Sequence, residues 1–361
     1  MSSKDQVRAG INWKEEAFQQ IKGYETELQS LFLLNAFNVL SNGYDFLIGT
    51  TSSEIFHYTP WKFEKNNLFA PEIILDIIQN YIVFSQNQEK TKKIARYHQY
   101  DCVKESLKRI ENSSLKGEIN NHTTGSGKSD TMAFLANQLR HKYPYCSIIV
   151  ITDRNELDQQ IYARFYEYEG TFFTSGDLIQ EDVSKISKLK SQLAKPNQGK
   201  IIFVLIQKFQ DLADLTEFNN PKRVFVFIDE AHRSQSLVAD TEDKKSWARE
   251  MRRIFPTAFF LGFTATPIEG KTEKEIGPIV HTYSVNQALE DEIVVPITYE
   301  KAYEYLPKLY WDEEEFAKNF PEKEQTFFDK RKNTKNKKDI LLRQCANFLK
   351  KTIKIFLVFI M

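Results

Sequence analysis

Cysteine is scarce: Cys102, Cys146 and Cys345 are three in 361 residues, odd in number and far apart. That argues against a disulfide framework or a zinc cluster and suits a reduced, cytoplasmic chain. Long hydrophobic runs are missing as well. The most apolar stretch, Ile353 to Met361, contains Lys354 and falls far short of the roughly 20 residues a membrane span requires, so no membrane role is expected. The opening MSSKDQVRAG has no apolar core of the kind a secretory signal needs. Net charge is absent too, with 49 basic against 49 acidic residues, so no global field advertises nucleic acid, although a local basic groove would suffice. Repeats and low-complexity segments are not apparent. The one charge run, Lys330 to Lys338, reads more readily as a solvated linker than as a DNA contact.

What remains is ordinary soluble material, 41% hydrophobic and 27% charged, long enough for about two or three domains. Trp13 to Leu34 carries Ala17, Phe18, Ile21, Leu28, Leu31 and Phe32 at helical spacing. Asn38 to Gly49 follows as two short apolar runs joined through Asn42-Gly43, a hairpin signal. Pro60, Pro71 and the polar stretch Ser85 to Lys93 then interrupt the pattern, and a domain boundary is expected near residue 88.

Beyond it the texture changes. Helical spacing over Tyr100 to Ile110 and Asp130 to His141 alternates with apolar runs at Ser147 to Ile151, Ile201 to Ile206, Val224 to Ile228 and Ala258 to Gly262. Runs without polar alternation are buried on both faces, so the expected fold is an α/β domain with a parallel sheet covered by helices. Its ligand chemistry belongs at the carboxyl ends of the strands. Gly117 to Asn121 makes a poor buried strand and predicts a short or strained first element.

Asn121-His122-Thr123-Thr124-Gly125-Ser126-Gly127-Lys128-Ser129 is the segment that carries chemistry. Its crowded glycine turn can aim backbone N–H groups at phosphate oxygens, and the N-terminus of the helix after it adds partial positive charge. His122 stands where the general phosphate-loop pattern has its first glycine, and Gly-Ser-Gly also occurs in plain linkers. About a hundred residues on, the run Val224 to Ile228 delivers Asp229 and Glu230 at its tip. Asp229 could hold Mg²⁺ together with the Ser129 hydroxyl while Glu230 acts on an attacking water; the plainer reading has Asp229 cap a helix. Thr264-Ala265-Thr266, before Pro267, ends the next strand with hydroxyls that could bond the acidic loop and sense a γ-phosphate.

In this order and spacing, His-Thr-Thr-Gly-Ser-Gly-Lys-Ser, Ile-Asp-Glu-Ala-His-Arg-Ser-Gln and Gly-Phe-Thr-Ala-Thr-Pro-Ile resemble motifs I, II and III of superfamily 2 helicases, specifically those of the R subunit of type I restriction enzymes. Three further segments, at Arg96–Tyr100, Ile151–Gln160 and Ile206–Phe209, are similar to the adenine-reading element and to two elements near the DNA track. The resemblance implies a RecA-like parallel sheet with helices on both faces, preceded by a remnant of an α/β restriction-endonuclease-like domain. It divides the chain into a nuclease remnant over 1–88, an ATP-binding domain over 89–295, and a linker with the truncated start of a second motor domain over 296–361. It assigns ATP to Gln99, Thr123, Thr124, Gly125, Ser126, Gly127, Lys128 and Ser129, and Mg²⁺ to Ser129 and Asp229. Glu230 becomes catalytic, and His232, Thr264 and Thr266 couple nucleotide state to motion. Gln20 and Tyr24 match a Q-x-x-x-Y element that follows a nuclease core; they would also face each other across one helical turn in any amphipathic helix.

Only nineteen residues precede Gln20 and about 65 follow Pro296, so the expectation is a fragment that binds ATP·Mg²⁺ with little turnover. Expected partners are double-stranded DNA and the methyltransferase (M) and specificity (S) subunits. The rival readings are an RNA helicase of the Asp-Glu-Ala-His group, a small-molecule kinase and a non-enzymatic remnant.

Overall fold

The structure, a computed structural model, describes residues 13–51, 53–62, 67–86, 91–112, 116–180, 199–206, 224–231, 252–267 and 272–296. His232, Gln207 to Phe209, the basic run and the apolar C-terminus lie outside the described residues.

Helix α1 (Trp13–Glu27) and the short α2 (Gln29–Phe32) lead into the hairpin β1 (Asn38–Ser41) and β2 (Phe46–Gly49). The Asn-Gly turn forms as expected: Asn42 Oδ1 accepts from the backbone N–H of Tyr44 and Asp45, and Gly43 takes a φ of 90°. β3 (Thr59–Pro60) extends this antiparallel sheet, and α1 seals it by burying Phe18 against Leu40, Leu47 and Tyr58. Helix α3 (Pro71–Asn80), with proline in its first turn, and the antiparallel pair β4 (Ile82–Phe84) and β5 (Lys92–Ile94) complete the N-terminal part.

The expected boundary near residue 88 falls among residues outside the description, and the apolar core crosses it. One buried cluster contains Ile48, Trp61, Leu68, Ile77 and Tyr81 together with Tyr100, Phe134, Leu135, Val150 and Phe227. Residues up to Pro296 form one compact unit.

The remaining elements are α4 (Tyr97–Asn112), β6 (Gly117–His122), α5 (Lys128–Lys142), β7 (Ser147–Thr152), α6 (Asn155–Glu167), β8 (Leu178–Gln180), β9 (Ile201–Leu205), β10 (Val224–Asp229), β11 (Phe259–Thr264), α7 (Thr272–Glu275), β12 (Ile279–Tyr283) and α8 (Val285–Glu290). Seven strands make one sheet in the order β12-β6-β11-β10-β7-β9-β8, and every pairing in it is parallel. The expected RecA-like sheet is therefore present. Successive residues of the apolar runs face opposite sides. Ile148, Val150, Phe225 and Phe227 meet α4, α5 and α6, while Ile149, Ile151, Val226 and Ile228 join Ile254, Phe255 and Ile276 on the far face.

One expectation fails in an instructive way. β6 is neither short nor marginal: it has six residues, pairs on both sides and lies between β12 and β11. Only Ile119 meets the apolar far face; Glu118, Asn120 and His122 are fully buried on the other, where Asn120 donates to Ser106 of α4 and to Glu118. Burial pushes the Glu118 carboxyl up to about 7, against hydrogen bonds from Ser106 and Asn120 that act the other way. The first strand is polar because its neighbour helix is polar. Its start is closed tightly, since a Cβ on Gly117 would sit 2.0 Å from the Ile276 carbonyl oxygen.

Candidate functional site

β6 ends at His122 and α5 begins at Lys128, leaving residues 123–127 to turn the chain. Gly125 and Gly127 both occupy the left-handed region, at φ 83° and 86°. Ser126 closes the turn by donating its backbone N–H and its hydroxyl to the Thr123 carbonyl, the latter at 2.6 Å. A Cβ at Gly127 would lie 2.5 Å from Gln99 Nε2 and would displace that side chain. The loop thus curls over the N-terminus of a 15-residue helix, where free N–H groups and the helix dipole favour an anion. Lys128 reaches back toward the loop, its ammonium 3.4 Å from the His122 carbonyl oxygen, and Ser129 follows it in the first turn.

Parallel register sets the other groups beside this cradle. Thr264 of β11 pairs with Asn121 of β6, and Asp229 of β10 pairs with Phe263 of β11. With strands about 4.8 Å apart, the acidic end of β10 stands about 10 Å from the root of the loop, with β11 between them. Asp229 is largely buried. Burial first, and then the adjacent Glu230 carboxylate, push its carboxyl up to about 6, with Lys128 opposing. Glu230 holds a φ of 50°, a left-handed conformation that a side-chain-bearing residue adopts at a cost of about 1–2 kcal/mol. That twist ends β10 and turns the chain away at the tip of the strand.

Thr264 is fully buried and its hydroxyl oxygen accepts from the backbone N–H of Thr266. A backbone bond from the Ala231 N–H to the Phe263 carbonyl joins the acidic turn to β11. Among the expected residues the fold gathers Thr123 to Ser129, Asp229, Glu230, Thr264 and Thr266 at one edge of the sheet. Gln20 and Tyr24 meet each other instead, Gln20 Nε2 donating to the Tyr24 hydroxyl at 2.7 Å on an exposed face of α1.

Gln99 is close to the loop and its amide is engaged at both ends. Its Oε1 accepts from the Arg96 N–H and its Nε2 donates to the Gly127 carbonyl at 3.1 Å, so in this state it buttresses the glycine turn. Beside it is a residue the sequence reading passed over. His98 places Nε2 2.9 Å from the Ser126 carbonyl and stacks on Tyr283 with ring centroids 3.8 Å apart and planes 2° from parallel. Burial lowers the His98 pKa to about 3, so the ring is neutral and Nε2 carries the proton it donates to Ser126. The Tyr283 hydroxyl donates to Asp291, which also accepts from Tyr97 and pairs with Lys62. Only adjacency to Gln99 could have suggested His98; its partner lies 185 residues away.

A glycine-bounded loop at a helix N-terminus, with acidic and hydroxyl residues at neighbouring parallel strand ends, is the arrangement of a RecA-like domain. The model of the SWI2/SNF2 ATPase family matches residues 98–335, well over half of the chain. The chain belongs to that family. Among curated proteins it is similar to the type I restriction enzyme HindI endonuclease subunit of Haemophilus influenzae, 33% identical over 327 residues that make up 80% of this chain and 30% of the relative. It is also similar to the type I restriction enzyme SsaAORF53P endonuclease subunit of Staphylococcus saprophyticus, 28% identical over 312 residues, 79% of this chain and 31% of the relative. The chain thus spans about 30% of the length of these relatives. A solved structure of the ATP-dependent type ISP restriction-modification enzyme LlaBIII bound to DNA aligns with 78% of this chain and 25% of its own, at a TM-score of 0.41 and 14% identity. No helix among the described residues is long and apolar enough to cross a membrane.

Proposed function

We propose that this chain supplies the first motor domain of a type I restriction enzyme endonuclease subunit, and that it binds ATP with Mg²⁺ at the edge formed by β6, β11 and β10. The observation that carries the reading is the convergence of the 123–129 loop with Asp229 and Thr264 at the carboxyl ends of these three neighbouring strands.

The donor set suits a hard divalent cation. Ser129 offers a hydroxyl and Asp229 a carboxylate, and the raised Asp229 pKa marks a buried negative charge that lacks sufficient compensation beside Glu230. Bound Mg²⁺ would supply charge neutralisation and a template for the β- and γ-phosphates. The loop's backbone N–H groups and the α5 N-terminus bind the phosphate oxygens, and Lys128 swings from the His122 carbonyl onto the β- and γ-phosphates. Glu230 orients the attacking water and accepts its proton. The Ala231 to Phe263 bond gives the Thr264–Thr266 segment a route by which a change at the acidic turn displaces β11. Gln99 would have to exchange its bond with Gly127 for one with adenine, which makes nucleotide entry and loop rearrangement one event.

In the complete enzyme this domain would drive translocation along double-stranded DNA, alongside methyltransferase and specificity subunits. The test at the level of this chain is a titration with a fluorescent ATP analogue in Mg²⁺. Saturable binding by the wild type, lost in Lys128→Ala, is expected; equal binding by the two proteins overturns the proposal.

A further inference from the structure

Behind the phosphate loop, on the side of β6 that faces α4, three metal-ligating side chains converge. Cys102 comes from α4, His122 from the last position of β6 and His281 from β12; all three are buried, and one donor atom from each lies within 4.8 Å of the other two. The two imidazoles are in direct contact, His122 Nε2 to His281 Nδ1 at 2.8 Å. Among the described residues no other group of three His, Cys or carboxylate side chains converges in this way.

A satisfied core histidine pair would use all its ring nitrogens, and this one does not. His122 Nδ1 is fully buried without a hydrogen-bond partner, as is Nδ1 of the neighbouring His98. A polar network left incomplete in a sheet interior signals a missing participant. A thiol and two imidazoles favour a borderline to soft cation over Mg²⁺ or Ca²⁺. The size is compatible after a small adjustment: tetrahedral Zn²⁺ holds nitrogen ligands about 3.3 Å apart and sulfur slightly farther, so donor atoms that lie within 4.8 Å of one another need to shift by only about an ångström.

We propose that Cys102, His122 and His281 form a site for one Zn²⁺ ion, which ties α4, β6 and β12 together at the root of the phosphate loop. His281 also lines a cavity of about 130 Å³ with Lys62, His98 and Asp101, roomy enough for several waters and therefore for entry of the ion and a fourth, water ligand. The imidazoles ligate through neutral lone pairs, and Cys102 ligates as thiolate after losing its proton to solvent. Glu118 and Asp101 both act on Cys102 as nearby negative charges, which disfavour a free thiolate and favour a bound cation. Because His122 immediately precedes the loop, occupancy would stiffen the cradle before any nucleotide arrives. This site stands on residues outside the proposed ATP ligands, apart from the adjoining loop, and holds or falls independently of that reading.

The test is a Co²⁺ titration of the full chain freed of metal by a chelator. One equivalent should produce a thiolate-to-cobalt absorption in the near ultraviolet and intense visible bands of tetrahedral geometry, both abolished by one equivalent of Zn²⁺. Cys102→Ser should lose the ultraviolet band and His281→Ala should weaken binding by more than about tenfold, while Cys146→Ser keeps both signals. Absence of the bands in the wild type, or their persistence in both Cys102→Ser and His281→Ala, overturns the proposal. Should either variant fail to melt cooperatively, X-ray absorption at the zinc edge of the wild-type protein decides: one sulfur with two imidazoles supports the site, and a shell without sulfur refutes it.

Discussion

Replacing Asp229 by Asn should make the nucleotide-free protein more stable. In the fold the Asp229 carboxyl is pushed up to about 6 by burial and by Glu230, from an ordinary value of 3.8. A carboxyl whose folded pKa lies above its unfolded one costs stability where it is ionised in both states, and the cost disappears as pH falls through the folded value toward the unfolded one. A shift of this size corresponds to about 1–3 kcal/mol at neutral pH, the lower end allowing for residual solvent contact. Asp229→Asn keeps the shape and removes the charge, so at pH 7.5 its Tm in EDTA should exceed the wild type by about 2–8 °C for a domain of this size. The gap should close by about pH 4, where the wild-type carboxyl is protonated in the fold as well. Thermal melts of both proteins across this range, followed by circular dichroism, make the comparison. A variant that is less stable at pH 7.5, or a gap that persists unchanged at pH 4, refutes the reasoning that Asp229 is an undercompensated charge held for a cation.

Two other substitutions test the frame around the site. Glu118→Gln removes a second buried acid, one raised to about 7 in the middle of the sheet, and should stabilise the chain by about 1–3 kcal/mol at pH 8. The wild type should therefore gain stability as pH falls from about 8 toward 5 and the variant should gain less; denaturant titrations with parallel profiles would contradict this. Gly127→Ala places a Cβ against Gln99 Nε2 at a φ of 86°, and should lower stability by about 1–3 kcal/mol through backbone strain and loss of the Gln99 bond. An unchanged Tm in that variant would mean that the loop relaxes at no cost.

Much of the architecture was legible because the strand runs announce themselves. Val224 to Ile228 and Ser147 to Ile151 are apolar on both faces, a pattern that leaves little room beside a covered parallel sheet, and the carboxylates at the tip of the former locate one end of the site. β6 resisted the same reading because half of its side chains, Glu118, Asn120 and His122, are polar and buried against neighbours other than an apolar layer, Asn120 bonding Ser106 of α4 and His122 contacting His281 of β12. Local composition cannot reveal that its neighbour supplies Ser106. The support of the phosphate loop was hidden for a related reason. His98 and Tyr283, or His122 and His281, are joined only when β12 pairs beside β6, and nothing in either segment hints at the other. Counting cysteines could not bring Cys102 together with His122 and His281, since one thiol and two distant imidazoles leave no spacing to read. Gln99 was found by resemblance, and its engagement with Gly127 became visible only once α4 was placed against the loop.

The proposed magnesium-nucleotide site joins Ser129 and Asp229, from different elements, with the loop. Its most direct test is the ATP affinity of the wild type, Ser129→Ala and Asp229→Asn measured by calorimetry as a function of free Mg²⁺. The wild type should bind one ATP with an affinity that rises steeply with Mg²⁺, while both variants retain the weak binding seen in EDTA and lose most of the rise. An ATP affinity that ignores Mg²⁺, or a magnesium dependence that survives both substitutions, would contradict it.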